Sequence, residues 1–141
     1  MALDDSFAFK SIKEIQNLYK EKQLSPVEMT ELYIDRIQKL NGKLNAYLTY
    51  SFDHAIDKAK LAEKDIQSGN NKGLLHGIPV AVKDLELTKG IRTTSGSLIH
   101  KDRIPDSDSI VVERLKANNA IILGKTNTPE FGAGSLSLIH I

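Results

Sequence analysis

The sequence has no cysteine, so these residues hold no disulfide, no thiolate metal site and no cysteine nucleophile, and a cysteine-dependent mechanism is excluded within them. Charge excess is nearly absent as well, with 19 Lys and Arg set against 18 Asp and Glu for a formal net charge of +1. That balance gives no reason to expect a nucleic-acid partner or an anionic membrane, since either would call for a basic patch or stripe. Nor does any run approach the roughly 18 apolar residues of a membrane-spanning helix. The start, Met1 to Lys10, carries Asp4 and Asp5 and lacks the basic head and apolar body of a signal peptide. The expectation is a cytoplasmic protein with no nucleic-acid or membrane partner, for which a homo-oligomer is left open.

What remains is ordinary for a globular domain: 141 residues, 40% hydrophobic and 26% charged, enough for one core. Ser11-Ile12-Lys13-Glu14 has the form of a capping box, and Ile12, Ile15, Leu18 and Tyr19 follow on one helical face. Ser25-Pro26-Val27-Glu28 repeats the signal with proline at the first helical position. Val27, Tyr33, Ile34, Ile37 and Leu40 form its apolar side, and Asn41-Gly42 is the expected stop. Tyr33 at this spacing reads as core. Ala46 to Tyr50 reads as a short extended piece, and Ser51 opens a third helix through Ala55, Ile56, Ala59, Ala62 and Ile66 to Ser68-Gly69. His54, in its first turn, has no neighbouring ligand set and reads as a surface histidine.

Asn70-Asn71-Lys72-Gly73 is a polar connection into the stretch around which the chain is organised, Gly73-Leu74-Leu75-His76-Gly77-Ile78-Pro79-Val80-Ala81-Val82-Lys83-Asp84. Residues 78–82 are apolar without alternation, which predicts a strand covered on both faces, and Lys83 emerges at its end. An ammonium there either reaches solvent or pairs with Asp84, or it stays desolvated and supplies neutral amine as a base. Residues 106–117 predict a helix capped by Asp106, Asp108 or Ser109, with Ile110, Val111 and Leu115 inward and Asn119 in the left-handed closing position. Residues 120–123 predict a second buried strand, parallel to the first through a right-handed crossover. Gly124-Lys125-Thr126 resembles the end of a phosphate-binding loop. The glycine that motif needs five residues earlier is Asn119, and the intervening residues are strand-like, so Lys125 reads as structural or peripheral.

Four blocks in order, Gly-x-Leu-x-Gly-Ile-Pro-x-x-Val-Lys-Asp at residues 73–84, Thr93-Thr94-Ser95-Gly96-Ser97, Asp108 to Lys116, and Ile121 to Asn127, closely resemble the amidase signature family. The resemblance is strong over residues 73–135 and weaker over 11–68. It implies an α/β fold, with N-terminal helices followed by the first strands of a mixed, largely parallel sheet in a three-layer α/β/α domain. It also implies acyl transfer through a serine, a second serine and a lysine, without a cofactor or metal, on a small-molecule amide. Lys83 matches the lysine, and Thr126, Asn127 and Thr128 match a loop that lines the substrate. Ser95, Ser97 and Ser135 come too early in the order of blocks to be either serine.

Two alternatives stay open. One is the glutamine-hydrolysing A subunit of a tRNA-dependent amidotransferase, although such proteins usually read Lys-Asp-Asn and Asn-Met-Asp-Glu-Phe where this chain has Lys83-Asp84-Leu85 and Asn127-Thr128-Pro129-Glu130-Phe131. The other is a non-catalytic binding protein on the same fold. The expectation for organisation is that residues 1–135 are the N-terminal part of one amidase domain. Residues 136–141, Leu-Ser-Leu-Ile-His-Ile, read as a non-native tail, because they are a possible translation of a transposon-end sequencing adaptor.

Overall fold

The computed structural model describes residues 4–134, so the expectations for Ser135 and for residues 136–141 lie outside the described residues. A short 3₁₀ helix, Asp5–Phe9, leads into helices α1 (Ile12–Lys20) and α2 (Pro26–Leu44), strand β1 (Tyr47–Tyr50) and helix α3 (Phe52–Gln67). Strand β2 (Pro79–Lys83), helix α4 (Ile110–Ala117) and strand β3 (Ile121–Thr126) follow. Both expected capping boxes form. Glu14 N–H donates to Ser11 Oγ at 3.3 Å while Ser11 N–H donates to Glu14 Oε2 at 2.8 Å, and Ser25 with Glu28 repeats the exchange at 3.1 and 2.8 Å. Each box satisfies two backbone groups that a helix start would otherwise leave open.

The expected stop at Asn41-Gly42 is corrected. Helix α2 runs on to Leu44 and closes at Asn45, a left-handed residue with φ 49°. Asn41 is spent otherwise: its Oδ1 accepts from Tyr47 N–H at 2.8 Å and its Nδ2 donates to Tyr47 O at 3.0 Å, so it aligns β1 against the helix. Tyr33 packs in the core as expected, with its hydroxyl donating to Ala8 O at 3.0 Å. In α3 the buried residues are the small Ala55, Ala59 and Ala62, which bring the helix close over the sheet, while His54 is exposed.

The sheet order is β1-β3-β2, with β3 central, parallel to β2 across α4 and antiparallel to β1. One face packs Ile121 and Leu123 against Ile37, Ala55 and Ala59 of α2 and α3, and the other packs Ile122 and Val82 against Val112 of α4. Helices therefore cover both faces of a mixed sheet, the α/β architecture expected.

Three expectations about these elements need correction. Strand β2 is not covered on both faces: Val82 is buried but Ala81 and Lys83 are exposed, because β2 is the edge of the described sheet and α4 covers only the Val82 side. Helix α4 is shorter than 106–117 and turned: Val112 is fully buried, whereas Ile110 is 68% and Val111 54% exposed. Residues before it are held extended on the 86–89 turn, where Ser109 N–H donates to Leu87 O at 2.9 Å, Ser109 Oγ–H to Glu86 Oε2 at 2.6 Å, and Lys89 N–H to Asp108 Oδ1 at 2.7 Å. Those bonds start the helix late and rotate Val112 and Leu115 inward. Asn119 takes the left-handed conformation expected of it, with φ 58°.

Strand β3 extends past residue 123 to Thr126 and carries a bulge. Val80 pairs with Ile122 but Ala81 with Gly124, so Leu123 is an extra residue in the ladder. Gly124 has φ +154°, and a Cβ there would lie 2.2 Å from Thr49 O, so only glycine fits. The extra residue resets the alternation of faces. Ile121 and Leu123 point toward α2 and α3, while Lys125, paired with Val82, joins Ile122 on the α4 side.

Candidate active site

Parallel register sets Lys83 beside Thr126 at the carboxyl ends of β2 and β3, and Asp84 N–H donates to Thr126 O at 2.9 Å. In open α/β sheets that end is where ligands bind. The four residues singled out from sequence, Lys83, Thr126, Asn127 and Thr128, thus lie on the two adjacent strand ends. Their side chains differ in availability. Lys83 is exposed, so of the two arrangements read from sequence the described residues form the solvent-reaching one and not the desolvated one, and Thr126 is half-buried. Asn127 is spent on the scaffold: Nδ2 donates to Asn45 O at 3.0 Å, Oδ1 accepts from Thr128 N–H at 2.8 Å, and its backbone N–H donates to Ala46 O at 2.8 Å. Thr128 is buried, with its hydroxyl donating to Pro129 O at 3.1 Å.

Asp84, which follows Lys83, is fully buried. Its carboxylate accepts from Thr94 N–H at 3.0 Å, from Thr94 Oγ1–H at 2.5 Å and from Gly96 N–H at 3.4 Å, while its carbonyl accepts from Ser95 N–H at 2.9 Å. Ser95 (φ 55°) and Gly96 (φ 66°) turn left-handed in succession around it. A backbone so curled could cradle an anion, but here Asp84 is the anion it holds. With the Ser97 N–H also donating to Thr94 O at 3.1 Å, the amides of this loop are committed internally. It is scaffold around Lys83.

The loop is pinned from two further sides. Arg103 donates through Nε to Thr93 O and through a terminal nitrogen to Ser95 Oγ, both at 2.8 Å. Ser97 Oγ–H donates to Glu130 Oε1 at 2.7 Å, and Phe131 N–H donates to Ser95 O at 2.8 Å. A Cβ on Gly96 would lie 2.7 Å from Thr128 O, so the two loops touch backbone to backbone. Two loops tied to each other by backbone contact and hydrogen bonds therefore adjoin the strand ends where Lys83 and Thr126 lie.

A family model described as Amidase matches residues 28–137. The chain belongs to the amidase family. The A subunit of glutamyl-tRNA(Gln) amidotransferase from Geotalea daltonii is 44% identical over 125 residues, which is 89% of this chain and 26% of that protein. The protein of the same name from Alkaliphilus metalliredigens is 42% identical over the same shares. Among solved structures, the peptide amidase from Stenotrophomonas maltophilia matches with a TM-score of 0.83 at 29% identity, over 91% of this chain and 26% of that one. A bacterial aryl acylamidase of the amidase signature enzymes matches with a TM-score of 0.80 at 34% identity, over 87% and 26%. The chain spans about a quarter of the length of the relatives it matches.

Within this amidase segment Asp84, read from sequence as a possible partner for Lys83, instead spends its carboxylate on Thr94 and Gly96, and the sequence reading did not foresee how deeply Lys125 is set. Lys125 is fully buried, and its Nζ donates to Thr88 Oγ1 at 2.7 Å and to Glu86 O. Gly-Lys-Thr lies within β3, so its backbone is part of the sheet and forms no phosphate loop. Burial pulls the Lys125 amine down from the ordinary 10.5 to about 8, against the opposing pull of Asp84, Glu86 and Asp108. The signal in the sequence was Gly124, since an isolated glycine within a strand pattern marks a bulge.

This depressed pKa has a consequence for stability. Between pH 8 and 10.5 the unfolded chain keeps a proton on Lys125 that the folded chain has lost, so Lys125 makes stability rise with pH across that window. The cost of burying the charge is fully present below pH 8 and gone above 10.5, about 3 kcal/mol in all at about 1.4 kcal/mol per pH unit. Urea unfolding of wild type and Lys125→Met at stepped pH should show the difference between them changing by that amount. A difference independent of pH would mean that Lys125 keeps its ordinary affinity for protons.

Proposed function

We propose that this chain is the lysine-bearing first part of an amidase that hydrolyses the carbon–nitrogen bond of a small-molecule amide, with Lys83 as the general base. The observation that carries the reading is the position of Lys83 at the carboxyl end of a parallel strand, beside Thr126 and next in sequence to Asp84, whose carboxylate holds the 94–96 loop. In this reading residues 1–135 belong to a single amidase domain, whose nucleophilic and bridging serines lie beyond this segment. The loop at Thr126, Asn127 and Thr128 walls the substrate, with Asn127 and Thr128 setting its shape.

The chemistry is acyl transfer. The nucleophilic serine oxygen bonds to the amide carbon, and its proton passes through the bridging serine to the neutral amine of Lys83. The carbon–nitrogen bond then breaks as Lys83 returns that proton through the bridging serine to the leaving nitrogen, and ammonia or an amine departs. Water attacks the resulting ester under the same base and releases a carboxylic acid. No redox step or cofactor enters.

A second reading is favoured by curated relatives at 38–44% identity that are A subunits of glutamyl-tRNA(Gln) amidotransferase. There the amide would be that of glutamine and the ammonia would pass onward to charged tRNA. One experiment separates the readings: the complete protein is incubated with hydroxylamine and either simple carboxamides or glutamine, and hydroxamate is measured. Hydroxamate from simple amides supports the free-standing amidase, and hydroxamate from glutamine alone supports the amidotransferase component. No acyl transfer to hydroxylamine from any amide would refute both.

A further inference from the structure

Lys125 is the largest fully buried side chain in the described chain, and the acyl-transfer chemistry makes no use of it. The Gly124 bulge puts it on the sheet face opposite Lys83: Val82 pairs with Lys125 and turns toward α4, while Lys83 pairs with Thr126 and turns the other way. From there the amine reaches the turn that follows Lys83. This turn opens with Glu86 N–H donating to Lys83 O at 3.0 Å, and Thr88 Oγ1–H donates back to Glu86 O at 3.1 Å. Lys125 Nζ adds its own bonds to Glu86 O and Thr88 Oγ1. These two acceptors take up two of the N–H groups of the lysine.

We propose that Lys125 is a positioning residue for Lys83: from beneath the sheet it ties the 83–88 turn to the central strand and fixes the direction in which Lys83 leaves β2. The charged and titratable groups around it are Asp84 and Glu86 of the turn, Arg103 of the loop that braces Ser95, and Asp108 ahead of α4. Asp84 anchors the same turn to the 94–96 loop. The turn is thus held at both ends by buried side chains, one anchored to a neighbouring loop and one to the sheet. A misplacement of about 1 Å in such a group costs on the order of 10²-fold in rate, so the tie is expected to matter for turnover while leaving substrate contacts alone.

This inference rests on Lys83 being the base, and the test keeps the two apart. In the complete enzyme, amide hydrolysis is measured for Lys83→Ala, Lys125→Met, Thr88→Val and Thr88→Ser, each checked for folding by circular dichroism. The expected result is that Lys125→Met and Thr88→Val lower kcat by at least about tenfold with KM unchanged, and that Thr88→Ser, which keeps the acceptor, is close to wild type. The limb of the kcat/KM pH profile governed by Lys83 should also move in Lys125→Met, whereas a loss of folded enzyme scales the profile without moving it. If Lys125→Met fails to fold, the Thr88 pair decides alone. Normal kcat and an unmoved pH profile in folded Lys125→Met or Thr88→Val, with Lys83→Ala inactive, overturn the positioning role only. Normal activity in Lys83→Ala overturns the base and this proposal with it.

Discussion

Lys83→Ala in the complete enzyme is expected to lower amide turnover by at least ~10²-fold, the size of effect lost with a general base. Among the described residues the side chain is exposed at the end of β2, so its removal disturbs no packing among them, and the folded fraction is checked by circular dichroism. Lys83→Arg should be nearly as damaging, since a guanidinium stays protonated and cannot accept the serine proton. The loss should appear in kcat and in kcat/KM alike. Near-normal hydrolysis by folded Lys83→Ala would remove Lys83 from the mechanism, whatever the likeness of its surroundings to those of other amidases.

The largest effect on stability is expected at Gly124, where an added methyl group would sit 2.2 Å from Thr49 O at φ +154°. Neither the backbone of β1 nor that of β3 can withdraw without breaking the central ladder. Gly124→Ala should therefore cost about 3 kcal/mol or more and lower Tm by roughly 10 °C. Gly90→Ala is the control: Gly90 is also left-handed, with φ +77°, but nothing lies within 4 Å of its added carbon. It should cost about 1–2 kcal/mol, from the backbone conformation alone. Equal midpoints for the two variants in calorimetry would show that the bulge relaxes and that its tight fit against β1 is unimportant.

The helical half was legible because its signals are local. Ser11 with Glu14, and Ser25 with Pro26 and Glu28, state their helix starts within four residues, and the structure forms both boxes as read. Asn119 likewise announced its left-handed turn. Distant partners defeated the reading elsewhere. The end of α2 depends on what Asn41 bonds across the chain, and the rotation of α4 depends on the 86–89 turn some twenty residues earlier. At the candidate site, the strand end and the order of blocks singled out Lys83 and the 126–128 loop, which the structure sets on adjacent strand ends. The burial of Asp84 and Lys125 was hidden, because the hydrogen-bond partners that satisfy them come from Thr94, Gly96, Glu86 and Thr88 in three-dimensional register. Gly124 marks the bulge locally, but which side chain that bulge turns inward depends on the register with β2.

The placement of β3 at the centre of the sheet and at the end of the described chain bears on how the protein is made. β1 and β2 each find their hydrogen-bonded neighbour in β3, so neither has a ladder until residues 121–126 have left the ribosome. At some 5–20 residues per second, β1 waits several seconds after its own emergence. Helices α1 to α3 can pair in that interval through contacts nearby in sequence, but their apolar faces lack the floor that Ile121 and Leu123 provide. Sheet assembly is then a late, non-local event governed by loop closure, in the slow-folding regime. For this segment the central strand is also the timekeeper of synthesis, and a substitution that slows the docking of β3 lengthens the time during which the helices stand uncovered.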